Sequence, residues 1–274
     1  MITSDSVLRI SRYLVFVVIA LAIKFRVEMS EMFLDKVVLV TGGSSGIGAA
    51  TVKLFAKEGA SVAFVGRNEV KLKEVASHCE VSYGANILII KADVSKEEEA
   101  KTIVQQTVEK FGKLDVLVNN AGILRFASIL QPNLLQNYDE VMNTNLRPVI
   151  HITNLAVPHL IATKGSIINV SSIASTLATK PGMMSYSVSK AGMDHFTRFA
   201  ALELAPSGVR VNCVNPGPVI TDIVTSSGMP SEVLQGENIA SMTALGRSSD
   251  ADEVGDIILY LASGKARVRC MFFN

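Results

Sequence analysis

The segment Lys36-Val37-Val38-Leu39-Val40 runs straight into the glycine-rich turn Thr41-Gly42-Gly43-Ser44-Ser45-Gly46-Ile47-Gly48. Ile47, Ala50, Thr51 and Leu54 then recur at helical spacing, which predicts a strand, a tight turn and a helix stopped near Gly59. The alternation does not stop there. Ser61 to Val65, Ile87 to Lys91, Leu114 to Val118, Ser166 to Val170 and Val209 to Val214 read as further strands. Helices are predicted over 69–79, from Ser95 to Phe111, over 134–161, from Met184 to Leu204 and over 251–262. Ser95 with Glu98 forms a capping box for the second of these, and Gly112 ends it. Strands that alternate with helices predict an α/β fold, a doubly wound parallel sheet with helices on both faces. Such sheets bind ligands beyond the carboxyl ends of the strands, where the strand order reverses.

A chain of 274 residues that is 49% apolar can fill this architecture as one domain, over residues 32–263. Lys plus Arg number 26 against 25 Asp plus Glu, and the basic residues are scattered, which argues against a nucleic-acid partner. Cys79, Cys213 and Cys270 are far apart and show neither metal-ligand spacing nor a disulfide framework, so no metal is expected and a reducing compartment fits. The cytoplasm is therefore favoured. The alternative comes from residues 1–31, whose apolar run Tyr13 to Ile23 lies between basic residues. It is short for a membrane span. It reads either as a membrane contact, for instance with the endoplasmic reticulum, or as a non-functional leader before Met29 or Met32. At the other end, residues 264–274 do not alternate like a strand.

Gly42, Gly46 and Gly48 between first strand and first helix offer backbone N–H groups as a cradle for pyrophosphate, where a Cβ would block close approach. Further on, Tyr186 and Lys190 stand four apart, on one helix face. A phenol of ordinary pKa about 10 carries protons poorly at neutral pH unless a nearby cation favours its anion, and Lys190 is that cation. The bland reading makes them a half-buried tyrosine and a solvated neighbour. Upstream, Ser171 and Ser172 both offer a hydroxyl, with Ser172 favoured. The second strand ends at Gly66-Arg67-Asn68, without the carboxylate that binds a ribose 2′-hydroxyl and with a guanidinium suited to a 2′-phosphate. NADP(H) is accordingly favoured over NAD(H). Met229, Val233, Leu234, Ile239 and Met242, within 221–245, suit either a lid over an apolar substrate or a plain core cover.

Thr41 to Gly48, Asn119-Asn120-Ala121-Gly122, Asn145, Ser172, Tyr186-x-x-x-Lys190 and Asn215-Pro216-Gly217 together resemble the short-chain dehydrogenase/reductase family, over about residues 33–262. The wording is most like its 3-oxoacyl-[acyl-carrier-protein] reductase-like members. The resemblance implies a single-domain Rossmann-type fold and hydride transfer between a nicotinamide and a carbonyl or alcohol carbon of a small molecule, a ketone or 3-oxoacyl thioester. It makes Tyr186 the general acid or base, Ser172 the group that polarises the carbonyl, Lys190 the holder of the nicotinamide ribose, and Asn145 the positioner of a water. Asn145 as a helix cap or kink is the alternative.

The resemblance also sets Thr41, Ser44, Ser45, Ile47, Asn68 and Val94 against the cofactor, together with Asn119, Ala121, Gly122, Pro216, Gly217, Val219 and Thr221. Asp93 becomes an adenine contact, or else a plain loop aspartate. Ser45 stands where many NADP-dependent relatives carry a second basic residue. Residues 264–274 do not resemble the family's closing strand, so a seventh strand is expected to be missing or altered. A homo-oligomer, dimer or tetramer, is expected if that end permits it. The rival reading is a truncated, catalytically weak protein that binds dinucleotide or another subunit.

Overall fold

The computed structural model describes residues 32–178, 180–225, 227 and 243–266. β1 (Val37–Thr41) is buried at every position and lies within a parallel sheet that has six strands among the described residues. The other strands are β2 (Ser61–Gly66), β3 (Ile87–Lys91), β4 (Val116–Asn119), β5 (Ser166–Val170) and β6 (Arg210–Val214), in the order β3-β2-β1-β4-β5-β6. The order reverses between β1 and β4, and that opening is where such sheets take their ligands.

Side chains alternate across the sheet. Val38, Val40 and Phe64 face a layer made by α1 (Gly46–Lys57), α2 (Glu69–Tyr83) and α8 (Ala251–Ala262). Leu39, Leu117 and Ile167 face α3 (Glu97–Phe111), α5 (Arg147–Thr163) and α6 (Met184–Leu204). A Cβ on Gly255 of α8 would lie 2.6 Å from Leu54 Cδ1, so α8 packs closely on α1. Its carboxyl end is clasped from β6: Arg210 donates from Nη1 to the carbonyls of Leu261 (2.6 Å) and Ala266 (3.1 Å), and from Nη2 to those of Ala262 (2.7 Å) and Ser263 (3.1 Å). Leu261 and Ala262 are among the carbonyls that a helix end leaves without intrahelical partners.

The alternation and most boundaries follow the sequence expectation, with two corrections. The single helix expected over 134–161 is two, α4 (Leu134–Asn145) and α5, broken at Leu146. Pro148 in the first turn of α5 has no N–H to donate backwards, and its ring excludes the carbonyl four residues earlier. The capping box of Ser95 and Glu98 does not form either. Ser95 Oγ donates to Asp93 Oδ1 at 2.7 Å, while Glu99 Oε2 accepts from Asp93 N at 2.7 Å, and Lys96 becomes the N-cap of α3.

Residues 13–23, the lid residues Met229 to Met242 and the tail residues 267–274 lie outside the described residues, so the expectations about anchor, lid and seventh strand rest there. Among the described residues no helix is long and apolar enough to cross a membrane. The chain on either side of the lid segment is joined: Ser249 N donates to Pro218 O at 2.9 Å and Ile220 N to Ser249 O at 3.1 Å. The short α7 (Asp222–Thr225) follows directly.

Candidate active site

β1 delivers Thr41 to the sheet's carboxyl edge, and the chain turns through Gly42 (φ 69°) and Gly46 (φ 51°), left-handed conformations that glycine adopts without strain. The turn leaves no space for a side chain. A Cβ on Gly48 would lie 2.1 Å from Gly42 O, one on Gly42 2.9 Å from Ala121 Cα, and one on Gly46 2.9 Å from Thr221 Cγ2. The loop after β4 is locked onto this turn: Thr41 Oγ1 accepts from the N–H of Asn120 (3.0 Å) and Ala121 (3.1 Å), and Asn120 Nδ2 donates to Thr41 O (3.0 Å) and Gly42 O (3.1 Å). Ser45, the N-cap of α1, makes no side-chain cap bond. An anion can therefore complete the first-turn N–H groups of α1, and the glycine cradle fits a dinucleotide's pyrophosphate.

Above the cradle opens a cavity of about 590 Å³. Gly42, Ser44, Ser45, Gly46 and Ile47 form its floor, and Ala121 and Gly122 the wall from β4. Arg67, Asn68 and Val94 lie at one end, Ser172, Tyr186 and Lys190 at the other, and Pro216, Gly217, Val219 and Thr221 close the remaining side. Thr41, Gly48, Asp93, Asn119 and Asn145 do not line it; the first two brace the cradle from beneath. Asn119 is buried below, its Nδ2 donating to Asn169 Oδ1 (2.8 Å) and Thr153 Oγ1 (3.1 Å). Asp93 holds Ser95 N (3.0 Å) and Oγ and stands 3.8 Å from Arg67 Nη1. Burial would raise its pKa, but the Ser95 hydrogen bonds and the nearby Arg67 and Lys96 outweigh that and hold the carboxyl below its ordinary range.

The adjacent serines separate here. Ser171 Oγ is turned away to donate to Lys190 O at 3.2 Å, whereas the Ser172 side chain hydrogen-bonds the Tyr186 phenol. Ser172 also caps the short 3₁₀ turn Ile173–Ser175, accepting from Ala174 N at 3.2 Å. Burial pushes the Tyr186 pKa up, and the Ser172 hydrogen bond pulls the other way. Lys190 Nζ donates to Val170 O at 2.7 Å and sits 5.7 Å from the centre of the tyrosine ring. Lys190 is 3% exposed, and burial lowers its pKa to about 8 against the opposing pull of Cys213 and Asp194.

Asn145 ends α4 with its amide fully engaged. Oδ1 accepts from Ile123 N (2.8 Å), and Nδ2 donates to Ile123 O (2.9 Å) and Ser189 Oγ (3.2 Å). A Cβ on Gly122 would lie 3.4 Å from Asn145 Oδ1 and 3.7 Å from Lys190 Nζ, so this glycine fits between them.

Sequence reasoning passed over Asn120, Asp194 and Lys71. Asn120 lies within the Asn-Asn-Ala-Gly run, but it meets the glycine turn only in the fold, 79 residues along the chain from Thr41. Asp194, one helical turn beyond Lys190 and 5% exposed, accepts from Asn215 Nδ2 at 2.9 and 3.1 Å and from Cys213 Sγ at 3.3 Å. Asn215 also donates to Ser172 O at 3.3 Å, which ties the catalytic strand end to α6. Burial and then Asp194 push the Cys213 thiol up to about 12, as in a structural rather than reactive cysteine.

The chain matches the family described as short chain dehydrogenase over residues 36–230. It is 38% identical over 232 residues to the 3-oxoacyl-[acyl-carrier-protein] reductase FabG of Thermotoga maritima, covering 84% of this chain and 92% of that one. A short-chain dehydrogenase/reductase of unknown function from Caenorhabditis elegans, solved with cofactor, superposes with TM-score 0.79 at 37% identity, over 84% of this chain and 89% of that one. A short chain dehydrogenase from Burkholderia cenocepacia in complex with NADP gives TM-score 0.77 at 33% identity, over 86% and 93% of the two chains.

Proposed function

The chain belongs to the short-chain dehydrogenase/reductase family, an oxidoreductase acting on CH–OH and C=O groups, and we propose that it interconverts an apolar ketone and its secondary alcohol with NADP(H). The observation that carries this reading is the placement of Ser172, Tyr186 and Lys190 at one end of the cavity whose floor is the glycine cradle. When bound, the nicotinamide supplies or accepts the hydride. Tyr186 gives its phenolic proton to the carbonyl oxygen as the oxygen gains charge, and takes it back in the reverse direction. A phenol held protonated by burial suits the acid role.

Ser172, already bonded to that phenol, donates to the same oxygen and stabilises its developing charge. Lys190 presents a buried cation to the ribose, and Asn145 fixes Ile123 and Ser189 on either side of it. Arg67 favours NADP(H), in line with the NADP complex of the Burkholderia neighbour. The name of the Thermotoga relative and the apolar wall of Ile123, Leu124, Phe126 and Met183 support an acyl or similar apolar substrate, a 3-oxoacyl thioester among them.

Steady-state assays with NADPH and NADH against acetoacetyl thioester and a ketone panel test this. NADPH-dependent reduction is expected, with Arg67→Asp moving the preference toward NADH. A wild type that prefers NADH overturns the cofactor assignment. A cofactor-induced thermal shift without turnover of any carbonyl would instead establish the dinucleotide-binding alternative.

A further inference from the structure

Resting on the NADP(H) reading, we infer that Lys71 is a second cation for the cofactor's 2′-phosphate and that Asp222 is the carboxylate it leaves in order to serve there. A phosphate monoester carries close to two negative charges at neutral pH, and Arg67 meets it with one guanidinium that already has Asp93 at 3.8 Å. The turn offers only Ser44 and Ser45 toward this end of the cavity, so the charge is incompletely matched.

Lys71 lies in the first turn of α2, where Asn68 Oδ1 accepts its backbone N–H at 3.1 Å. It lines the same cavity as Arg67 and Asn68. Other cations nearby are committed elsewhere on the surface: Lys73 and Lys91 to Glu69, and Lys96 to Glu99. Lys71 Nζ instead reaches across to Asp222 Oδ2 at 2.5 Å, and Asp222 lines the cavity too, from α7 on its far side.

Both members of that pair are about half exposed, 45% and 55% for the side chains. An ion pair in such a place contributes little, while a charge-assisted contact to phosphate is stronger, so the exchange of partners is downhill. A cofactor without the 2′-phosphate has no means of drawing Lys71 away from Asp222. The pair thereby adds to discrimination as well as affinity, since Asp222 repels a phosphate that fails to recruit Lys71.

The test is equilibrium binding, by calorimetry on the full chain, of adenosine 2′,5′-bisphosphate and adenosine 5′-monophosphate. Wild type is expected to favour the bisphosphate. Lys71→Gln should lose about tenfold in bisphosphate affinity with the monophosphate unchanged, Lys71→Arg should restore most of it, and Asp222→Asn should tighten the bisphosphate alone. If Lys71→Gln leaves the ratio of the two affinities intact while Arg67→Gln collapses it, the role of Lys71 is refuted and the NADP(H) reading stands. If Lys71→Gln weakens both ligands equally, its part is structural and the inference fails. A wild type indifferent to the 2′-phosphate removes the NADP(H) reading itself.

Discussion

At the cradle end of the cavity, Gly42, Gly46 and Gly48 act by having no side chain, and the surface offered to a ligand is backbone, in a turn whose carbonyls at Thr41 and Gly42 are held by Asn120 Nδ2. At the proposed catalytic end, Ser172, Tyr186 and Lys190 offer side-chain atoms, in a frame where Lys190 Nζ meets Val170 O, Asn215 meets Ser172 O and Asn145 meets Ser189, each pair at least 20 residues apart. The two ends should therefore fail differently. An added atom harms the cradle through shape, while at the catalytic end a change that keeps the shape and removes one polar atom is enough to stop the chemistry.

Tyr186→Phe poses that contrast most sharply. It conserves the ring and deletes the proton carrier, so kcat is expected to fall by about 10²–10⁴-fold with the melting temperature nearly unchanged. A collapse in melting temperature would erase the distinction. Lys190→Met probes the same end through pH. The folded-state pKa of Lys190 is about 8 against an ordinary 10.5. Below pH 8 both folded and unfolded chains carry the charge and its burial cost is felt in full. Between 8 and 10.5 the unfolded chain holds a proton that the folded one lacks, so stability rises with pH. The wild type should gain up to ~3 kcal/mol relative to the methionine variant over that window, read from denaturant unfolding at pH 7.5 and 10.5.

Gly48→Ala is the counterpart for the cradle. It forces the turn to move and should cost about 1–3 kcal/mol of stability, with cofactor affinity lowered and kcat at saturating cofactor kept. An alanine variant that loses kcat but not affinity would show that the two ends are not independent.

The two ends also differed in how far the sequence disclosed them. The cradle is a local object, strand, glycines and helix within one stretch of chain, and its residues fall where the spacing places them. Ser172, Tyr186 and Lys190 share a cavity, but only the fold separates Ser171 from Ser172, because the distinction is whether a hydroxyl meets Lys190 O or the phenol. Likewise the direction of the tyrosine's pKa follows from burial, which outweighs the Ser172 hydrogen bond and which spacing does not encode.

Apolar periodicity carries on across residues 145–147, so the break between α4 and α5 was masked although Pro148 announced it. Ser95 resembled a cap until Asp93 took its hydroxyl. Lys71 reads in sequence as one more solvated lysine, since Asp222 stands 151 residues away along the chain.

The clasp by Arg210 reaches further than the helix end it holds. By fixing the carboxyl end of α8, which lies against α1 through Gly255 and Leu54, it makes β6 a buttress for the helix that carries the cradle. Amide protons of α8 and α1 should accordingly exchange with solvent as one cooperative unit, slower than those of α3 on the opposite layer once the clasp is intact and faster once Arg210→Met removes it. Evolutionary tinkering at Arg210 would then tune how long a dinucleotide stays bound without altering any atom that touches it.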